Sequence, residues 1–190
     1  MAEVEQQEEV QYKIPEKVST QKMLEADQDD ESLQRWKASI LGKSQGANGA
    51  QPMAKVQKID VHIKDNDTHF VFPLSTEAEV NDLKEKPVAF RLKEGCEYTM
   101  EFTFNVENDI VMGLKYESGV YKRGVRVTKL TEMLGSYGPQ AEPHVFTTRA
   151  AIAPSGMLGR GKYQAKSKFV DDDGNVYLEF SYHFEIKKDF

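Results

Sequence analysis

Tyr98–Val106 reads YTMEFTFNV, and its period decides the fold. Tyr98, Met100, Phe102, Phe104 and Val106 alternate with Thr99, Glu101, Thr103 and Asn105. Only extended chain places every second residue on one side; a helix would scatter the five apolar groups around its circumference. The segment is therefore a strand with one face in a core and the other toward water.

The pattern extends in both directions. Downstream, Ile110, Met112, Leu114 and Tyr116 repeat the alternation, and Gly119–Leu130 (GVYKRGVRVTKL) supplies one or two more strands. Tyr163–Val170 (YQAKSKFV) and Val176–Ile186 (VYLEFSYHFEI) flank the turn-like DDDGN of Asp171–Asn175. Upstream, Val56–Ile63 (VQKIDVHI) places Val56, Ile59, Val61 and Ile63 in a strand with one irregular step. His69–Leu74 (HFVFPL) holds another around Phe70 and Phe72, ending near Pro73. Seven to nine short strands with turns between them indicate an all-β fold, an immunoglobulin-like antiparallel β-sandwich. The cysteine pair and core tryptophan of immunoglobulin domains are absent, so only the architecture carries over.

Residues 1–52 differ in kind. Residues 1–18 are rich in Glu and Gln and poor in large apolar groups, a composition that does not offset its own ordering entropy. A short helical turn fits Ser19–Glu25, and a helix fits the stretch ending at Gly42. Asp29 or Asp30 suits its N-cap, and Glu31 suits the positive end of its dipole. Leu33, Trp36 and Ile40 recur at helical spacing with Leu41 beside them, and Gly42 suits the C-terminal cap. Lys43–Pro52 (KSQGANGAQP) is a flexible linker. A flexible, partly helical N-terminal arm over 1–52 therefore precedes a sandwich over 53–190. A helix of about 13 residues is marginal alone in water. Its apolar face needs a surface, either the chain's own sandwich or a partner.

Up to Gly42 there are 10 acidic and 5 basic residues, and the remainder has 21 and 20, so the net charge of −6 is concentrated in the arm. That distribution argues against nucleic acid and favours a basic or amphipathic partner. The sole cysteine, Cys96, forms no internal disulfide and fits a small core residue in a reducing compartment. No apolar run approaches membrane-spanning length, and the first ten residues lack the basic-then-apolar order of a signal peptide. A soluble, cytosolic protein without stable membrane insertion is expected.

Motifs for chemistry are weak. An EF-hand starting at Asp171 would need Gly and Glu where Val176 and Tyr182 stand, so DDDGN reads as a hairpin turn with Asp173-Gly174 at positive φ. Three carboxylates there still suit a basic peptide. GRGK at Gly159–Lys162 lacks the third glycine and the βαβ context of a nucleotide site. His62, His69, His144 and His183 show no zinc spacing. No nucleophile meets its base, so neither enzyme, cofactor nor metal is expected. Leu178, Phe180, Tyr182 and Phe184 alternate onto one face. They fit a solid core, or the walls of a lipid-accepting cavity, and pattern does not separate the two.

Six phrases occur in a specific order: DDESLQRWKASILG (Asp29–Gly42), LKEGCEY (Leu92–Tyr98), GSYGP (Gly135–Pro139), GMLGRGKY (Gly156–Tyr163), DDDGN and IKKDF (Ile186–Phe190). Together they resemble the Rho GDP-dissociation inhibitor family, from about Tyr12 to the C-terminus. The resemblance implies a cytosolic inhibitor and carrier of geranylgeranylated Rho- and Rac-type small GTPases, mainly GDP-bound, in a 1:1 complex. The sandwich would hold the geranylgeranyl chain, removing the GTPase from membranes, while the arm clamps its switch regions and slows nucleotide exchange. The family's arm aspartate falls on Asp30; Tyr12, Ser32, Leu33, Trp36, Ile40 and Leu41 would complete the switch contact. Prenyl-pocket positions fall on Val61, Phe90, Leu92, Tyr98, Ile110, Phe180 and Tyr182. Asp173, with Asp171 and Asp172, would face the basic tail of the GTPase.

Departures accompany the likeness. Relatives often carry tryptophan where Phe180 and Tyr182 stand, implying a pocket of different outline. Serines discussed as phosphorylation sites are replaced by Ala89 and Lys162, leaving Ser19 as a candidate, and Ala151 and Ile152 stand at acidic positions. The rival readings are a general prenyl carrier indifferent to the GTPase, and an adhesion-type sandwich with a solid core.

Overall fold

Strand Glu97–Glu107 lies near the centre of one of two facing sheets, with Met100, Phe102, Phe104 and Val106 buried as the alternation predicts. A computed structural model describes Ser32, Gln51 and residues 53–189. Ser32 is helical and exposed. The arm residues Tyr12, Asp30, Leu33, Trp36, Ile40 and Leu41 lie outside the described residues.

In chain order the elements are β1 (Met53–Ile63), β2 (Thr68–Pro73), α1 (Glu77–Glu85), β3 (Phe90–Lys93), β4 (Glu97–Glu107), β5 (Val111–Lys122), β6 (Val125–Tyr137), β7 (His144–Thr147), β8 (Ala151–Ile152), β9 (Gly161–Val170) and β10 (Val176–Lys187). The first sheet runs β2-β1-β4-β7, with β8 also pairing β4; the second runs β3-β10-β9-β5-β6. The sheets pack through rings: Phe102 of β4 lies 4.8 Å from Tyr116 of β5 and 5.2 Å from Phe169 of β9, edge-on to the latter. The irregular step in β1 is a register shift against β4 between Val56 and Lys58, which returns Ile59 and Val61 to the core.

Three features depart from simple alternation. First, β5 is phased differently from the expectation over 110–116: Val111 is buried, Met112 is 45% exposed, and Leu114 and Tyr116 are buried. A bulge between Val111 and Leu114 shifts the phase. Gly113 sits there at φ +60, and a Cβ on it would collide with the Asp172 carboxylate. Second, α1 interrupts the strands. Its capping box is complete: Thr76 Oγ1 accepts from the Glu79 N–H at 3.3 Å, and Glu79 Oε2 accepts from the Thr76 N–H at 2.9 Å. Third, β3 pairs β10 in parallel, with Phe90 opposite Phe184 and Leu92 opposite Ile186, whereas the other pairings are antiparallel. Because α1 carries the chain from the first sheet to the second, β3 enters by a crossover instead of a hairpin, which permits that direction. The immunoglobulin-like sandwich stands, with this one parallel edge.

Candidate functional site

Phe90 is the hub of an aromatic zone between the sheets. Its ring lies 5.8 Å from Phe70, Phe72 and Tyr182, and stacks on Phe184 at 5.4 Å. Phe180 continues the row, 6.0 Å from Tyr182 and 6.2 Å from Phe169. The zone exists because β10 sends every second side chain inward, β3 lies beside it, and β2 faces both from the opposite sheet. Val61 and Leu92 are buried in the same core, and Tyr98 packs against it partly exposed. Of the seven residues expected to form an apolar pocket, Phe90, Phe180 and Tyr182 thus join through ring contacts, while Val61, Leu92 and Tyr98 belong to the same general core. Ile110 stands apart, half-buried just before β5, with its N–H donating to its neighbour Asp109 Oδ1 at 2.7 Å.

A polar seam crosses this apolar region. Tyr116 Oη lies 2.9 Å from Ser167 Oγ, which donates to Ser118 Oγ at 2.9 Å. Tyr182 adjoins Tyr116 and Ser167, and burial, reinforced by Tyr116, pushes its phenol well above the usual value of 10. Tyr182 therefore stays neutral. Among the described residues no buried side-chain oxygen or nitrogen lacks a partner.

Helix α1 spans the end of the zone and is held mainly through Leu83, with Val80 partly buried. Two grooves of about 510 Å³ each flank it. One lies between Met53–Val56, the start of α1 and Val176–Glu179; the other reaches Phe180 between α1 and the β9–β10 pair. Both volumes fall in the range of small-molecule sites.

The three aspartates of the β9–β10 turn are not equivalent. Asp171 is 2% exposed and turned inward. Its carboxylate accepts from the Asn175 N–H and Nδ2 at 2.8 Å each and from Tyr177 O–H at 2.6 Å. Burial pushes the Asp171 pKa up, but the Tyr177 and Asn175 hydrogen bonds outweigh it and hold the group below its ordinary range. The expectation of an outward-facing Asp171 is corrected accordingly: this residue clamps the turn. Asp172 and Asp173 are exposed, and Asp172 accepts from Lys115 Nζ at 3.2 Å. Gly174 takes the positive φ expected of the hairpin turn, whereas Asp173, expected to share it, does not.

Cys96 is buried, as a small core residue should be, and burial pushes its thiol pKa up. The histidines show no zinc spacing along the sequence, yet the β1–β2 register sets His62 opposite His69. Among the described residues no helix is long and apolar enough to cross a membrane.

Comparison with known proteins adds a consistent result. The model of a family described as RHO protein GDP dissociation inhibitor matches residues 1–189. The chain is 40% identical over 168 residues to Rho GDP-dissociation inhibitor 1 of Arabidopsis thaliana, covering 87% of this chain and 68% of that protein. It is 41% identical over 178 residues to the putative rho GDP-dissociation inhibitor 1 of Dictyostelium discoideum, covering 90% and 88%. Against Rho GDP-dissociation inhibitor 1 of Homo sapiens, identity is 38% over 181 residues, covering 95% and 87%.

Proposed function

The chain belongs to the Rho GDP-dissociation inhibitor family, and from that membership we propose that it binds geranylgeranylated Rho-family GTPases, slows their release of GDP and draws them from membranes into the cytosol. The observation that carries this reading is the family match over both the arm and the sandwich. In the proposed complex, residues 1–52 act as a regulatory arm on the switch regions, centred on Asp30, and residues 53–190 receive the lipid. The complex is taken as one inhibitor to one GTPase.

The aromatic zone supports the lipid half of the proposal. Phe90, Phe180 and Tyr182 present apolar ring faces between the sheets and pack against one another. Entry of an acyl-like chain then requires the rings to part, with displacement of α1 the least costly route, because Leu83 is its one fully buried side chain. Asp172 and Asp173 offer surface carboxylates for the basic segment next to a prenylated cysteine.

Magnitudes favour two grips over one. A buried methylene is worth about 0.8 kcal/mol, so a twenty-carbon chain carries on the order of 10 kcal/mol of gross burial. The bilayer offers a comparable refuge, and the sandwich alone gains little by exchange. Arm and carboxylate contacts supply the surplus, and the linker raises the effective concentration of the second grip once the first engages.

The test is a vesicle assay with geranylgeranylated Rho-family GTPase loaded with fluorescent GDP. Adding the purified full chain should move GTPase to the supernatant and slow loss of the nucleotide. GTPase that stays on the vesicles and exchanges at its unassisted rate would overturn the reading.

A further inference from the structure

The β1–β2 hairpin places two imidazoles and a carboxylate together on its outward face. His62 and His69 are direct cross-strand partners, with rings stacked at 4.1 Å and inclined by only 8°. The loop between them, 64–67, ends in Asp67 at φ 53, a left-handed conformation that turns the chain into β2 beside the histidine pair. Asp67 Oδ1 then lies 2.9 Å from His62 Nε2 and 3.8 Å from His69 Nε2. One donor atom from each residue lies within 4.8 Å of the others.

We propose that His62, Asp67 and His69 form a binding site for a divalent transition-metal ion of the zinc class, clasping β1 to the edge strand β2. The donor spacing is the first argument. Tetrahedral zinc with bonds of about 2.0–2.1 Å separates its ligand atoms by roughly 3.3 Å. The two carboxylate-to-nitrogen gaps, 2.9 and 3.8 Å, fall on either side of that edge, and the two stacked rings must splay apart for both nitrogen lone pairs to point at one ion.

Orientation is the second argument. Asp60 lies on β1, and both its carboxylate oxygens are 3.1 Å from His69 Nδ1. That contact selects the tautomer protonated at Nδ1 and leaves the Nε2 lone pair facing Asp67. A carboxylate behind a metal-binding histidine is the usual second layer of such centres, fixing the ring and raising its basicity.

Charge and ligand type give the third. Asp60 and Asp67 set two carboxylates beside the imidazole pair, an arrangement that favours a cation. Two nitrogens and one oxygen suit zinc or copper, whereas magnesium and calcium prefer oxygen throughout. His69 and Asp67 are open to solvent, so water completes the coordination. His62 Nε2 lies at hydrogen-bond distance from the same Asp67 oxygen, and it binds the ion as the tautomer that carries its proton on Nδ1.

The site lies behind the aromatic zone. Strand β2 also carries Phe70 and Phe72, which wall Phe90, so a metal clasp on the outer face stiffens one wall of the inner one. The inference stands on the hairpin geometry and does not depend on the proposed function.

Calorimetric titration of the metal-free full chain with zinc chloride tests it, with magnesium chloride as control. One saturable zinc site per chain and no magnesium site are expected. His62→Ala and His69→Ala should each weaken zinc binding at least tenfold, and Asp60→Asn about tenfold through loss of the orienting contact. Melting in chelator establishes that each variant folds. Zinc should move the imidazole NMR signals of His62 and His69 and leave those of His144 and His183 in place. Undiminished affinity in the double variant His62→Ala/His69→Ala, movement of the other two histidines instead, or no saturable binding by the wild-type chain would each overturn the proposal.

Discussion

Glu94 and Arg160 meet in a two-point ion pair: Arg160 Nε donates to Oε2 at 2.7 Å and Nη2 donates to Oε1 at 2.6 Å. The Gly156 N–H joins the same Oε2 at 2.8 Å. The turn after β3 and the loop before β9 are thereby locked together, uniting LKEGCEY and GMLGRGKY, phrases more than sixty residues apart. Lys122 Nζ closes the far side by donating to the carbonyls of Leu158 and Arg160. Held this way, the loop projects Met157 and Leu158, 86% and 93% exposed, into water.

Acid should release this loop. The Arg160 hydrogen bond, helped by Gly156, holds the Glu94 carboxyl below its ordinary pKa of 4.5. Its contribution to stability is complete above that value and is lost as pH falls through the lowered one. Hydrogen-exchange protection of the 156–160 amides should therefore be flat above about pH 5 and drop in stronger acid. Glu94→Gln should show weak protection at every pH. A wild-type loop equally protected throughout would contradict the lock.

The strands were legible because half-buried sheet writes its period into the side chains, as in Tyr98–Val106. Even the bulge in β1 shows, since Val56 and Ile59 cannot share a face without it. The bulge in β5 does not show: Gly113 takes positive φ against Asp172, and that contact comes from a distant turn. Helix α1 announces itself only through Thr76 and Glu79, because Val80 and Leu83 are too few to establish a helical period. Three successive aspartates look alike in sequence, and only the path of the turn buries Asp171. His62 and His69 are seven apart, a separation without meaning until hairpin register makes them neighbours.

Asp171 should matter to folding more than to binding. Removing its carboxylate strands Tyr177 O–H and the Asn175 donors in a partly buried turn. Asp171→Ala is expected to cost about 2–3 kcal/mol in denaturant unfolding, and Tyr177→Phe about 1 kcal/mol. Asp173→Ala, at an exposed side chain, should cost less than Asp171→Ala. Equal stabilities for Asp171→Ala and Asp173→Ala would remove the clamp from consideration.

Ring surface, not the phenol hydroxyl, should govern lipid binding. Tyr182→Phe keeps the contacts to Phe90 and Phe180 and should leave affinity for a soluble geranylgeranyl-cysteine probe within about threefold. Phe180→Ser removes apolar wall worth about 1.5–3 kcal/mol and should weaken the probe by tenfold or more. Comparison of melting curves separates that loss from unfolding. Probe binding unaffected by Phe180→Ser would place the lipid elsewhere.

The arm carries its own reporter. Trp36 is the only tryptophan, three residues from Leu33 and four from Ile40 on the expected helical face, so intrinsic emission isolates the arm from the sandwich. If that face docks on a GTPase, water leaves the indole and emission should shift to shorter wavelength when prenylated GTPase is added. Asp30→Ala should weaken GTPase binding about tenfold, the cost expected for losing one charge-assisted hydrogen bond at an interface. Because the sandwich is untouched, its Tm should not move. Deleting residues 1–45 should abolish the Trp36 signal and reduce extraction from vesicles, while probe binding by the remaining sandwich persists. Full extraction by that truncated chain would show that one grip suffices and that the acidic arm serves another purpose.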